Sequence, residues 1–430
     1  MITLAMLLAM TGLIVIGLDI AVAMGVAGLG ALTWLLMSGQ MPVSLNILPQ
    51  TFMNGVNSFP LLAIPLFLLA GEFMNHGGVT QRLVRFATDL VGRIRGGLAQ
   101  VAVMLNVLVS GMSGSSVAEA AATGSVLIPS MTAAGYPKRF STGVIAAAAT
   151  MGAVIPPSIP MVIVGTTANL SIGQLFVAGA LPGLVMALCL MIAVAIMAPR
   201  LNLPLVPKPT VRQVGQNAMA AVLPMITPVI VFGGLLSGVA TVTEAAVLAV
   251  LYAWILGAVV YRELKWSDAS RIIGTVGIHT AAIMIIVAAT NLMGWIMAIE
   301  QIGPRVTAFI QYIAAEPWLV LLIINVLLLV LGTAIEPIPI ILLLSPILFP
   351  LTASLGIDPI HFSVIMVINL MIGLITPPIG LNLFVLARIA NISVGEATRG
   401  SWPFLLALIV ALMIVTYVPW ITLVLPNMIF

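Results

Sequence analysis

An all-α polytopic membrane protein, built as an inverted-topology repeat with two re-entrant helical hairpins and two interrupted helices, is the fold class the sequence predicts. Three observations predict it. The first is composition: of 430 residues, 62% are hydrophobic and 6% charged, whereas a soluble domain carries about 25% charged residues. The second is a duplicated series of motifs. Pro129 and Gly135 recur as Pro350 and Gly356, 221 residues on, and Phe140-Ser141 recurs as Phe362-Ser363, 222 on. Pro156-Pro157 recurs as Pro377-Pro378 after 221, and Asn169-Leu-Ser-Ile-Gly173 as Asn391-Ile-Ser-Val-Gly395 after 222. The third is charge placement. When sides are assigned by alternation, with both ends of each hairpin on one side, all 15 Lys and Arg but Arg305 fall on one face. The positive-inside rule makes that face cytoplasmic. The first hairpin then enters from the cytoplasm, the second from outside, and both termini are external.

The first repeat (1–198) opens with apolar runs Ile2 to Leu18 and Ile20 to Met37, which meet at Asp19. With no basic segment or small-residue cleavage site there, they are expected to be mature membrane structure. Pro42 to Ser58 is polar enough to be a loop. Phe59 to Met74 is a span carrying Glu72, so the first apolar helices occupy about 1–76. Gly77-Gly78 ends them. Over 78–95, apolar Leu83, Phe86, Ala87 and Leu90 alternate at helical spacing with Arg82, Arg85, Asp89 and Arg93, the pattern of a helix lying in the interface. In 98–131, two apolar arms flank Ser110-Gly-Met-Ser-Gly-Ser-Ser116. Arms of about 15 residues span about 22 Å, short of the roughly 30 Å hydrocarbon core, which predicts a hairpin that turns back inside the membrane. The span 141–165 is interrupted at Ile155-Pro-Pro-Ser158, and 175–198 closes the repeat. A Pro-rich cytoplasmic linker occupies 199–217. The second repeat (218–430) follows the same plan: apolar helices over about 218–299, an arm at 303–315 and a hairpin at 317–351. An interrupted helix at 361–388 and a closing helix at 403–425 complete it.

Two hairpin tips and two interruptions would meet near the midplane. A broken helix exposes carbonyls that bind Na⁺ and amide N–H groups that favour an anion. The candidate sodium and substrate site therefore takes Ser113, Gly114, Ser115 and Ser116 from the first tip, and Gly152, Val154 and Pro156 from the first interruption. The second half supplies Thr333, Ala334 and Glu336 from its tip, and Gly373, Ile375, Thr376 and Pro377 from its interruption. One sodium site is expected per repeat, each tip facing the interruption of its own half. Ser and Thr hydroxyls in helices also bond back to their own backbone, the competing role for each of these. Intramembrane carboxylates are costly and usually functional, which singles out Glu119 and Glu336 for a functional or gating role. Glu72 and Glu244, near helix ends, are expected to be structural. Asn106 and Asn325, at comparable positions before the tips, are expected to brace the hairpins through neighbouring backbone.

His76, His279 and His361 are scattered, without metal-site spacing; His361, at the start of a span, is expected to be interfacial. With Cys189 as the sole cysteine, neither a disulfide framework nor a Cys-based metal site forms within one chain. An intramembrane enzyme, which needs a clustered acid, base and nucleophile or a metal set, is disfavoured, so no enzymatic activity and no organic cofactor are expected. Without a nucleotide motif, uphill transport must draw on an ion gradient or an external motor.

Three stretches, Pro65-Leu-Phe-Leu-Leu-Ala-Gly-Glu-Phe-Met74 with Gly77-Gly78, Ser110 to Glu119, and Ile375-Thr-Pro-Pro-Ile-Gly-Leu-Asn-Leu-Phe384, carry a family resemblance. The chain resembles the large membrane subunit of TRAP transporters, the tripartite ATP-independent periplasmic transporters of organic acids, over nearly its whole length. The resemblance implies a bacterial inner-membrane protein that imports an organic acid with Na⁺ as coupling ion. It implies an elevator-type transport domain holding the hairpins, a periplasmic substrate-binding protein, and a small four-helix membrane subunit, here expected as a separate polypeptide. The family often has Asp where Glu119 and Glu336 stand. The alternative is a self-sufficient ion-coupled anion transporter or antiporter of related fold.

Overall fold

The computed structural model describes residues 2–38, 44, 46–204, 209–313 and 316–430. Every regular element among them is helical. The chain begins with α1 (Ile2–Val15) and α2 (Ile20–Ser38), which pack on each other. Glu300 pins the start of α1: its carboxylate accepts hydrogen bonds from the Thr3 amide (2.8 Å) and hydroxyl (2.6 Å).

The stretch read as a loop contains a helix, α3 (Ile47–Val56). Its Thr51 and Gly55 face inward while Met53 is exposed, and it packs along the long helix α13 (Trp266–Ile299). Pro42 and the residues beside it lie outside the described part. A short 3₁₀ turn (Phe59–Leu62) leads into α4 (Ala63–His76). The amphipathic arm forms α5 (Val79–Val91), burying Leu83, Ala87 and Val91 along one stripe.

The first hairpin is α6 (Leu98–Ser113) and α7 (Ser116–Ala133). Next come α8 (Lys138–Ala149), α9 (Ile159–Ala168) and α10 (Ile172–Met197). The second half contributes α11 (Val211–Leu236), α12 (Val242–Trp254, continued by a π-helical turn over Ile255–Val260), α13 and α14 (Ile302–Ile313). Its hairpin is α15 (Pro317–Gly332) and α16 (Pro337–Ser354), followed by α17 (Pro359–Gly373), α18 (Leu381–Ala390), α19 (Val394–Tyr417) and α20 (Trp420–Ile429).

Two boundaries differ from the sequence reading. Helix α11 begins inside the stretch read as linker, because Thr210 and Gln213 form a capping box: the Thr210 amide donates to Gln213 Oε1 at 2.8 Å. Lys208 lies outside the described residues. The closing span starts earlier, at a second capping box (Ser393 and Glu396), and breaks at Val418-Pro419, so that α20 is a separate helix. A third such box, Thr241 with Glu244, starts α12 and gives Glu244 a structural role.

Eight of the described helices are long and apolar enough to cross a membrane, so the protein is a multi-pass membrane protein. Helices α6, α9, α15, α17 and α18 are apolar but shorter. The halves interlock: α8 packs on α19 and α18, α10 on α17 and α19, and α9 on α16. Around this inner group, α13 runs against α2, α3, α4 and α16, while α11 and α12 hold α5 and α4.

The arm α5 is tied to this outer group by charge and by stacking. Arg82 pairs with Glu263 at 2.8 Å, its guanidinium carbon stands 3.6 Å from the centre of the Tyr261 ring, and Asn217 donates to Asp89 at 2.7 Å. The ion pair is partly exposed, so the cluster is worth about 1 kcal/mol. Arg82→Ala should lower the apparent unfolding temperature of the detergent-purified protein by that equivalent. Arg82→Lys should recover less than half, since an ammonium cannot lie flat on the ring; full recovery by Lys would refute the stacking contribution.

Candidate ion and substrate site

Local chemistry sets the first tip. Helix α6 ends where Gly114 turns left-handed (φ 64°), a conformation that a side chain at this position would disfavour. Ser115 is extended and caps α7, its hydroxyl accepting from the Ala118 amide at 3.4 Å. The tip is fastened to the interruption of its own half: Gly114 O accepts from the Ile159 amide at 3.4 Å. That interruption runs from a 3₁₀ turn (Thr150–Ala153) through a cis Pro156-Pro157 bond to Ser158. The Ser158 hydroxyl donates to Ala153 O (2.5 Å) and accepts from the Met161 amide (3.2 Å), restarting the chain as α9.

The fully buried Glu119 carboxylate accepts from Ser113 Oγ at 2.7 Å and Ser110 Oγ at 3.2 Å. It lies against Gly152, where an added Cβ would run into it. Glu119 thus closes the tip on itself and on the 3₁₀ turn, and Ser113 is engaged by it. Asn106 Nδ2 donates to Ala102 O at 2.8 Å, a bond to its own helix.

The second tip repeats the plan with other residues. Thr333 O accepts from the Ile379 amide at 3.2 Å, the counterpart of the Gly114–Ile159 bond. Helices α15 and α17 meet glycine to glycine: a Cβ on Gly373 would stand 2.8 Å from Gly332 Cα. The hydroxyls of Thr333 and Thr376 donate to Val330 O and Ile372 O, both at 2.8 Å, so each bonds back to its own helix. Ala334 lies in the tip; Ile375, Thr376 and Pro377 lie in the interruption, which also holds a cis Pro377-Pro378 bond. Glu336 stands at the N-cap of α16 without a side-chain capping bond.

Gly114, Ser115, Ser116 and Glu336 come together on a cavity of about 510 Å³, closed on the other side by α4 and α13. Val154, Pro156, Ile375 and Pro377 do not line it. A second cavity of about 370 Å³ shares Glu72, Ala118 and Ala121 with the first. The two adjoin between α7 and α4. Glu72 stands where they meet, its Oε2 3.4 Å from His76 Nδ1.

Several structural residues carry no motif signal of their own. Asn382, fully buried at the start of α18, donates to Ser116 Oγ at 2.8 Å and so joins the second interruption to the first tip. Asn325 differs from its expected role. It bonds to Thr416 Oγ1 (3.1 Å) and receives two bonds from Asn369, at 2.9 and 2.8 Å, tying the hairpin to α17 and α19. His361 is buried, 2% exposed, its ring nitrogens 2.8 Å from Thr422 Oγ1 and 3.2 Å from Thr416 O. The available signal was the cost of placing a carboxamide or imidazole inside an apolar run.

A multi-pass bundle in which two hairpin tips and two broken helices close around one cavity has the architecture of a membrane permease. The chain belongs to the family described as the DctM component of the tripartite ATP-independent periplasmic transporter, which matches residues 7–421. It is 42% identical to the C4-dicarboxylate TRAP transporter large permease protein DctM of Pseudomonas aeruginosa, over 93% of this chain and 92% of that one. It is 39% identical to the sialic acid TRAP transporter large permease protein SiaM of Vibrio cholerae, over 93% of each. Its fold is similar to that of the Alcanivorax borkumensis YdaH transporter (TM-score 0.65, 17% identity, 90% of each chain covered).

Removing a buried acceptor strands its donors at a cost of about 1–3 kcal/mol. Glu119→Ala leaves the Ser113 hydroxyl without its acceptor, while Ser110 keeps its bond to Asn106 O, and should therefore lower stability by about 2 kcal/mol. Glu119→Gln, which keeps an acceptor oxygen, should lose less than half of that. Thermal unfolding of both variants checks this; equal losses would show that charge, not hydrogen bonding, holds the tip.

Proposed function

We propose that this chain is the large transmembrane subunit of a Na⁺-coupled, binding-protein-dependent secondary transporter that imports an organic acid across a bacterial inner membrane. The observation that carries the reading is that each hairpin tip is bonded to the interruption of its own half while residues of both tips face one cavity. Carbonyls at the broken helix ends supply oxygen ligands for one Na⁺ per half, and the amide end of α7, with the Ile338 N–H and the dipole of α16, whose Pro337 and Pro339 carry no N–H, favours a carboxylate between them. The bound ions offset the charge of an anion in a cavity flanked by Glu72 and Glu336. The inner helices, hairpins included, move as an elevator against the outer group.

The relatives named for C4-dicarboxylates and sialic acid act on carboxylates, which supports an organic acid as substrate. The tripartite family supports two partners, a separate small four-helix membrane subunit and a periplasmic binding protein.

The test is uptake of labelled succinate and N-acetylneuraminate by proteoliposomes holding this chain and its small subunit, with the binding protein outside. Uptake should require an inward Na⁺ gradient, fail with K⁺ or choline, and need the binding protein. In Ser115→Pro, which removes the cap of α7 and the Ser115 amide, Na⁺-driven uptake should be abolished. Na⁺ should also raise the unfolding temperature of the purified protein, by the equivalent of about 2.7 kcal/mol at a hundredfold excess over Kd. Na⁺-independent uptake would defeat the coupling, and uptake without binding protein would favour a self-sufficient transporter.

A further inference from the structure

The 510 Å³ cavity is within the size range of small-molecule sites. Its wall is largely apolar, and its ionisable side chains are Glu72, Glu336 and His279. Among the described residues, no Lys or Arg lines it. An organic anion entering this space meets two side chains that can repel it and a single one that can carry positive charge.

That side chain comes from α13. Val276, His279, Ile283 and Ile286 follow one another at spacings of three and four and all line the cavity, so one stripe of α13 forms its wall. His279 lies 13 residues past Trp266, about 20 Å along a helix about 51 Å long, near its middle. It makes no hydrogen bond or ion pair with any described residue. The other two histidines are engaged, His76 by Glu72 and His361 by Thr422 and Thr416. His279 is exposed on this wall, so its imidazole is open to the cavity, and ionisable side chains within membrane helices commonly serve a ligand. An imidazole has an N–H to offer a carboxylate oxygen in its neutral as well as its charged form.

We propose that His279 is a substrate-contact residue: its ring N–H binds a carboxylate of the transported acid, across the cavity from the Ser115 and Glu336 tips. The inference rests on the transport reading above and assigns one of that site's contacts. The substrate then lies between the hairpins, which supply backbone amides and ions, and the imidazole of a helix belonging to neither hairpin. Because His279 is not needed to fasten either tip, its loss should weaken substrate binding without loosening the fold.

The experiment compares wild type, His279→Ala, His279→Gln and His279→Glu in the complete reconstituted system, with labelled succinate and N-acetylneuraminate as probes. Thermal unfolding and the Na⁺-dependent stabilisation are read on the same preparations. His279→Ala should raise KM roughly tenfold, the loss expected for one charge-assisted hydrogen bond, with a smaller change in kcat. His279→Gln, which keeps an N–H donor, should recover most of that loss. His279→Glu, which adds a third carboxylate, should abolish uptake, and all three should retain the wild-type unfolding temperature and Na⁺ response. Wild-type uptake with an unchanged KM in His279→Ala would overturn this inference and leave the transport reading intact. Uptake lost together with thermal stability or Na⁺ response would make His279 a structural residue and overturn it too. A wild type that takes up neither acid would defeat the transport reading along with this contact.

Discussion

Breaking a helix between apolar segments frees backbone groups that must find partners within the protein, and the structure is arranged around that constraint. Each half breaks one helix and folds one hairpin, and each spends the freed groups on the other. Gly114 O takes the Ile159 amide, and Thr333 O takes the Ile379 amide. The short apolar helices, the proline pairs and the glycines at the crossings follow from that exchange. So does the interlocking of the halves, because a hairpin tip has to be buried in protein or face a cavity rather than lipid.

The sequence made the recurring, punctuated elements legible. Proline pairs cannot sit inside a helix without removing bonds, and a Gly/Ser tip between short apolar arms leaves few alternatives to a hairpin. The amphipathic arm was equally plain, because Arg82 and Arg85 alternate with Leu83, Phe86 and Ala87. What escaped notice was set by tertiary packing. In α3, polar residues pack on α13, so Thr51 and Gly55 face inward and no apolar stripe announces the helix. The burial of His361 depends on Thr416 and Thr422, which reach it only because the chain breaks between α19 and α20. The tips and interruptions are legible in the sequence, but not the division of labour within them. Ser113 serves Glu119, Thr333 and Thr376 serve their own helices, and Ser116 answers to Asn382.

Charge is distributed with equal economy. Among the described residues, Lys and Arg are kept away from this cavity, and Arg82 of the arm is engaged with Glu263 and Tyr261. On the proposed transport reading, an anion in a cavity without ammonium or guanidinium groups would be held through backbone dipoles, an imidazole and accompanying cations. On that reading, a permanent guanidinium would retain an anion after its ions had left, whereas dipoles and exchangeable ions would let it go.

The bond from Asn382 to Ser116 has a mechanical meaning. It crosses between the halves at their most interrupted points, anchored on one side by the Asn382 amide, which donates to Leu374 O at 3.1 Å, and on the other by the capped start of α7. A displacement of α18 must therefore carry the first tip along or rupture a buried bond. The chain has many hinges in its sequence but few independent joints, and the two halves, though separate in the gene product's linear order, are geared together.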